Sequence, residues 1–236
     1  MIPIRDVIPS RTTPVVTVSL IAFNVLVFLF QSSLSERGLD LFLRNFALVP
    51  ADFSLVTVLT AMFLHAGFAH LAGNMLFLWI FGDNIEDRLG HGRFICFYVI
   101  CGCAAAFAQT ALDADSRIPM VGASGAIAGV MGAYLILFPH SRIVMLFPFP
   151  PIVFELPAVL FLVMWFAIQF LNGVGTLPVF GASELSGGVA FWAHVMGFAI
   201  GVVLVPIMRR RERMTVDWWD VPHKTADQEA RRKLFS

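Results

Sequence analysis

Between Pro119 and Tyr134 the chain carries no charged residue, and glycine recurs at 122, 125, 129 and 132. Spacings of three and four put these glycines on one face of a helix. A glycine seam lets neighbouring backbones approach closely, the packing that joins helices inside a bilayer. The same stretch places a hydroxyl, Ser124, near its start, between small residues that leave its oxygen uncrowded, as a nucleophile requires. Serine in such a helix also serves as a cap or a packing residue. The remainder of the chain has to decide between these uses.

Composition sets the solvent. With 58% hydrophobic and 14% charged residues, the chain belongs in a membrane. Its 236 residues are consumed by spans, which leaves no room for a second soluble domain of ordinary size. A net charge of zero gives nucleic acid no purchase. Cys96, Cys101 and Cys103 fall in one apolar segment and read as packing residues, not as a disulfide frame or zinc site. No metal or other cofactor is implied. The N-terminus has no signal-peptide pattern, so the first span is expected to be retained.

Six spans are expected, at about residues 15–30, 68–81, 94–112, 119–138, 158–171 and 189–208. The resulting organisation is a lead over 1–14, a six-span domain over 15–208 and a charged tail over 209–236. Residues 31–60 read as a long interfacial loop, residues 83–93 as a charged turn, and residues 172–188 as a flexible loop. Four prolines between 143 and 157 suggest a buried or interfacial loop there. The lead and the loops after spans two, four and six hold Arg5, Arg11, Arg88, Arg93, Arg142, Arg209, Arg210, Arg211 and Arg213. The opposite loops hold Arg37, Arg44 and Arg117. Nine against three places both termini in the cytoplasm. Short termini without a transit peptide suit a bacterial inner membrane.

Polar side chains within the spans are few. Span two has His70 and Asn74, span four Ser124 and span six His194; Asn24, Gln109 and Gln169 read as interhelical hydrogen-bonders. Spans two, four and six run the same way, and their polar groups all lie within roughly 10 Å of the outer helix ends at about 1.5 Å per residue. The cost of polar groups in lipid makes them face one another or a watery cavity. Serine beside an imidazole suggests nucleophilic catalysis, with His70, Asn74 and the Ser124 N–H as oxyanion donors. No carboxylate sits in the outer half of these spans, so a Ser-His dyad is expected instead of a triad. His-Glu-x-x-His and paired intramembrane aspartates are both absent from the sequence. His91, His140 and His223 read as solvated, and Glu86 and Arg88 as structural charges at the cytoplasmic surface.

These residues resemble the rhomboid intramembrane serine proteases. The resemblance rests on Gly122-Ala123-Ser124-Gly125, His65, His70-x-x-x-Asn74, Glu86-x-Arg88 and Ala193-His194-x-x-Gly197, in order across residues 60–205. It implies an all-α, six-transmembrane-helix bundle with Ser124 as nucleophile and His194 as base. His70 and Asn74 would help form the oxyanion hole, with His65 supporting. It further implies an outward-opening cavity gated by span five and the 172–188 loop. Substrates would be transmembrane segments of other proteins, cut near the outer face, often after a small residue. Two positions depart from the pattern: Ala128 stands where some relatives have a tyrosine supporting the histidine, and Val56-Thr57 replaces a Trp-Arg pair. A catalytically inactive rhomboid-like escort factor and a small transporter are the rival readings. The complete Ser124/His194 pair favours the enzyme. Oligomeric state has no sequence signal.

Overall fold

The computed structural model describes residues 1–175 and 190–210. Most of the 172–188 loop, the first residue of the expected sixth span and the tail with His223 lie outside the described residues. The chain forms a helical membrane bundle. Its helices are α1 (Val15–Ser33), α2 (Glu36–Phe46), α3 (Leu55–Thr60), α4 (Phe68–Leu89), α5 (His91–Leu112), α6 (Ser124–Leu137), α7 (Ala158–Gly175) and α8 (Phe191–Met208). Among the described residues, α1, α5, α7 and α8 are long and apolar enough to cross a membrane. The pair formed by residues 55–63 and α4, bent by 88°, adds a fifth candidate, and α6 is a shorter apolar helix. Length and composition therefore support four or five crossings, where the sequence suggested six.

The exposure of α1 shows what surrounds it. Its buried residues are Thr17, Leu20, Asn24 and Gln31, while Phe23, Leu26, Leu29 and Phe30 face outward. Polar groups inside and large apolar ones outside is the pattern of a helix bathed in lipid. By contrast, α2 has no buried residue, a Ser35 N-cap on the Gly38 N–H and an Arg44–Asp40 ion pair at 2.9 Å. It is an exposed amphipathic helix where a loop was expected.

The centre of the bundle is α6, buried from Gly125 through Tyr134. Its glycines explain how two helices, α5 and α8, come so close to it. A Cβ added to Gly197 or Gly201 of α8 would overlap the carbonyls of Gly125 or Gly129, and one on Gly132 would overlap that of Phe198. On the side towards α5, a Cβ on Gly125 would lie 2.6 Å from Ala105 Cβ, and one on Gly129 2.5 Å from Cys101 Sγ. Backbone-to-backbone contact of this kind needs residues without side chains. Gly122 falls outside the helix, with φ 124°, so the seam proper begins at Gly125.

Two stretches differ from expectation at the arginine-rich end. Residues 142–157 form a hairpin, β2 (Arg142–Pro148) and β3 (Pro151–Pro157), and β1 (Ile2–Asp6) adds to β2 to make an antiparallel sheet in the order β1-β2-β3. The prolines flank the turn and end the last strand, so they delimit the ladder without interrupting it. The expected charged turn after residue 83 is instead the last part of α4, which runs to Leu89 and ends at Gly90 with φ 79°.

That charged stretch is buried because distant backbone needs it. Glu86, fully buried, accepts from Val16 N–H (2.9 Å), Thr17 N–H (2.8 Å) and Thr17 Oγ1 (2.7 Å), thereby capping the first turn of α1 from another helix. Asp87 accepts from the Arg11 N–H (2.6 Å), the Thr12 N–H (3.0 Å) and the Thr12 hydroxyl. The Arg88 guanidinium lies over the Phe138 ring, 4.8 Å from its centroid. Glu86 and Arg88 are thus structural charges, buried ones. His91, expected to be solvated, bonds Glu86 through Nδ1.

Candidate active site

Ser124 is the first residue of α6, so its backbone N–H has no partner within its own helix. The segment leading to it is held from two sides. Leu48 and Met120 exchange backbone hydrogen bonds at 3.1 and 2.7 Å, and the Gly122 N–H donates to Ala61 O at 2.9 Å. Gly122 is required here on two counts: its φ is positive, and a Cβ would come within 2.8 Å of the His70 ring.

His194 lies in the first turn of α8, and its Nε2 is 2.7 Å from Ser124 Oγ. Its other ring nitrogen, Nδ1, is 2.8 Å from Gln169 Oε1 on α7. The Trp165 ring, one turn earlier on α7, lies 5.9 Å from the imidazole, tilted by 39°. Sequence reasoning left open what holds His194 in a chain with Ala128; the two neighbours supplied by α7 do so here. Gln169 had read only as interhelical glue, and a separation of 25 residues in sequence gave no sign of its partner.

His70 and Asn74 share one face of α4 and border, with Ser124, His194 and Trp165, an open cavity of ≈ 580 Å³. The Asn74 amide donates to His70 O at 3.0 Å, which uses one of its two N–H groups. His65 is buried behind His70, with ring centroids 5.2 Å apart, and neither of its ring nitrogens has a hydrogen-bond partner among the described residues. Its backbone is bracketed by Gln31 of α1, which accepts from the His65 N–H at 3.1 Å and donates to His65 O at 3.3 Å. All five singled-out residues therefore lie in one neighbourhood: Ser124 and His194 in direct contact, His70 and Asn74 across the cavity, His65 behind them. Gln109 Oε1 accepts from the Ala193 N–H at 3.2 Å, an interhelical bond as expected. Asn24 differs, donating to Leu20 O of its own helix. Among the described residues no group of His, Cys, Asp and Glu could hold a metal ion.

A second, small pocket of ≈ 50 Å³ adjoins Ser124, walled by Gly102, Ala105, Gly125 and Met62. Its dimensions admit a small apolar side chain and little else.

Comparison with known proteins shows which family the chain is similar to. The Rhomboid domain model matches residues 52–211. Rhomboid protein 1, mitochondrial, of Saccharomyces cerevisiae is 35% identical over 139 residues, 56% of this chain and 39% of its own length. Rhomboid protease GluP of Bacillus subtilis is 41% identical over 85 residues, 36% of this chain and 16% of its own. Human presenilin-associated rhomboid-like protein, mitochondrial, is 34% identical over 217 residues, 86% of this chain and 52% of its own. The chain thus spans about half or less of the length of these relatives. The matched domain covers the site from the segment before α3 to the end of α8, and on that ground the chain belongs to the rhomboid family.

Proposed function

We propose that this multi-pass membrane protein is a serine endopeptidase that hydrolyses peptide bonds in or near transmembrane segments of other proteins. The observation that carries the reading is the 2.7 Å approach of His194 Nε2 to Ser124 Oγ beside an open cavity. Kinship with a relative named a rhomboid protease supports it.

Ser124 Oγ attacks the scissile carbonyl as His194 Nε2 takes its proton. The oxyanion is met by the Ser124 N–H, the free Asn74 amide N–H and the His70 ring. His194 then protonates the leaving amine, and a water activated by the same imidazole releases the acyl group from Ser124. His65 supports His70 from behind. The ≈ 50 Å³ pocket next to Ser124 suits a small residue before the cut. Access runs between α4 and α7, which flank the cavity, with α7 as the movable wall. With six crossings, α4 and α6 included, the nine-to-three distribution of arginines supports both termini on the cytoplasmic side, and membrane fractionation of the native host tests the expected bacterial inner membrane.

A fluorophosphonate probe tests the nucleophile. Wild type should be labelled and Ser124→Ala should not. Equal labelling of both would remove Ser124 from the chemistry and favour a binding or escort protein.

A further inference from the structure

We infer that Gln169 is a positioning residue of the dyad, holding His194 in the one tautomer that can act as a base. The inference rests on the Ser124/His194 reading and adds a part to it.

A neutral imidazole carries one proton, and the nitrogen without it is the acceptor. For His194 to take the Ser124 proton, Nε2 must be bare and the proton must sit on Nδ1. Nδ1–H then needs an acceptor, and Gln169 Oε1 stands 2.8 Å away. With Nδ1–H donating to Gln169 and Nε2 accepting from Ser124, both ring nitrogens are used and the ring plane is fixed. The opposite tautomer would leave two protonless acceptors, Nδ1 and Oε1, facing each other. That contact could be relieved only by turning the amide over.

The rest of α7 argues that the amide is there for this purpose. The helix is an edge element whose residues Val159, Leu160, Val163, Met164, Ile168 and Leu171 face outward. It docks on α8 through rings, Trp165 and Phe166 on Phe198 and Phe170 on Trp192. An apolar residue at 169 would continue this packing without the cost of an amide near lipid. Trp165 and Gln169 are one turn apart, and both touch the same imidazole. An amide also differs from the carboxylate of a Ser-His-Asp triad. With Oε1 towards Nδ1 it accepts from the Nδ1–H tautomer but adds no charge to stabilise the imidazolium, so the dyad has an orienting group without a third ionisable member. Because the orienting group sits on α7, displacement of α7 removes it from the base. The wall of the cavity and the competence of the dyad are mechanically the same helix.

The test uses the full chain in detergent, a fluorogenic transmembrane peptide with a small residue before the cut, and a fluorophosphonate as a second readout. Gln169→Met keeps the length of the side chain and removes the acceptor. It should lower kcat about ten-fold or more, with KM and melting temperature little changed, and slow fluorophosphonate inactivation in parallel. Gln169→Glu restores an acceptor oxygen and should recover most of kcat. Its carboxylate should also move the acid limb of the kcat/KM profile to higher pH by favouring the imidazolium. Wild-type kcat in Gln169→Met would overturn the inference. So would equal loss in the Met and Glu variants, or loss of kcat that merely tracks loss of melting temperature. Ser124→Ala in the same assay separates the two levels: if it still cleaves, the dyad itself fails. If it is inactive while Gln169→Met is normal, only the role of Gln169 fails.

Discussion

The two ends of the bundle handle buried polar groups in opposite ways. At the arginine-rich end, Glu86 and Asp87 meet backbone N–H groups and hydroxyls of residues 11–17, and Tyr134 donates to Asp6 at 2.7 Å while bonding Ser141 at 2.9 Å. Asn84 also donates to Asp6, at 2.9 Å. Around Ser124 the accounting is left open. Among the described residues the His65 ring nitrogens have no hydrogen-bond partner, Asn74 turns one N–H back on its own helix, and His70 faces a cavity. Saturated polar networks hold helices in place, whereas a site must keep donors in reserve for what it binds. Polar side chains thus meet one another at one end and border a cavity at the other.

The largest test of that contrast is the dyad. Ser124→Ala or His194→Ala should each reduce turnover at least about 10³-fold, while the melting temperature moves by about 2 °C or less. Substantial cleavage by His194→Ala would contradict its role as base. Next comes Glu86→Ala, which strands two N–H groups and a hydroxyl at roughly 1–3 kcal/mol for each buried group. We expect a fall in melting temperature on the order of 10 °C, with kcat per fluorophosphonate-titrated site unchanged. A loss of kcat per site would show that the two ends are not independent.

Asn74→Ala and His70→Ala should act the other way round. One missing oxyanion donor in a water-accessible site should lower kcat about ten-fold or more, and leave KM and thermal stability close to wild type. Normal kcat in both variants would dismiss the oxyanion role; parallel losses of activity and stability would make Asn74 interhelical glue.

The smallest effect concerns Asp6 in β1. Burial, reinforced by the nearby Asp83 charge, pushes its carboxyl from 3.8 up to about 7, against the opposing Tyr134 hydrogen bond. Tyr134 and Asn84 both donate to Oδ2. The folded chain then holds a proton that the unfolded chain releases near pH 4, so this contribution is complete below pH 4 and falls as pH rises to about 7. Melting temperature should decline across that window in wild type, and Asp6→Asn should flatten the decline by keeping an acceptor without a charge. An unchanged slope in Asp6→Asn would locate the pH dependence elsewhere.

What could be read from the sequence was whatever repeats locally or is costly in lipid. Apolar runs marked the helices, and the expense of Ser124, His194, His70 and Asn74 in a membrane forced them towards a shared depth. Pairings over long separations were hidden. Prolines 148, 150, 151 and 157 look hostile to a helix, and the local hairpin whose turn and ends they mark has no other sequence sign. The charges after Asp83 looked like a turn because their partners, residues 11–17, are about seventy positions away. Gln169 and Asn24 looked alike as amides in spans. One meets a histidine on another helix and the other its own backbone, a difference that only the rotation of each helix decides.

The sheet also imposes a timetable. Strands β2 and β3 are joined by a two-residue turn and can pair as soon as they are made, but Ile2 must wait for Leu146. By then α1, α4, α5 and α6 have all been synthesised, and closing so long a loop is costly unless those helices have already brought its ends together. The first strand of the chain therefore pairs only after β2 has been made. That pairing brings Asp6 to the Tyr134 hydroxyl, tying the start of the chain to the last turn of α6.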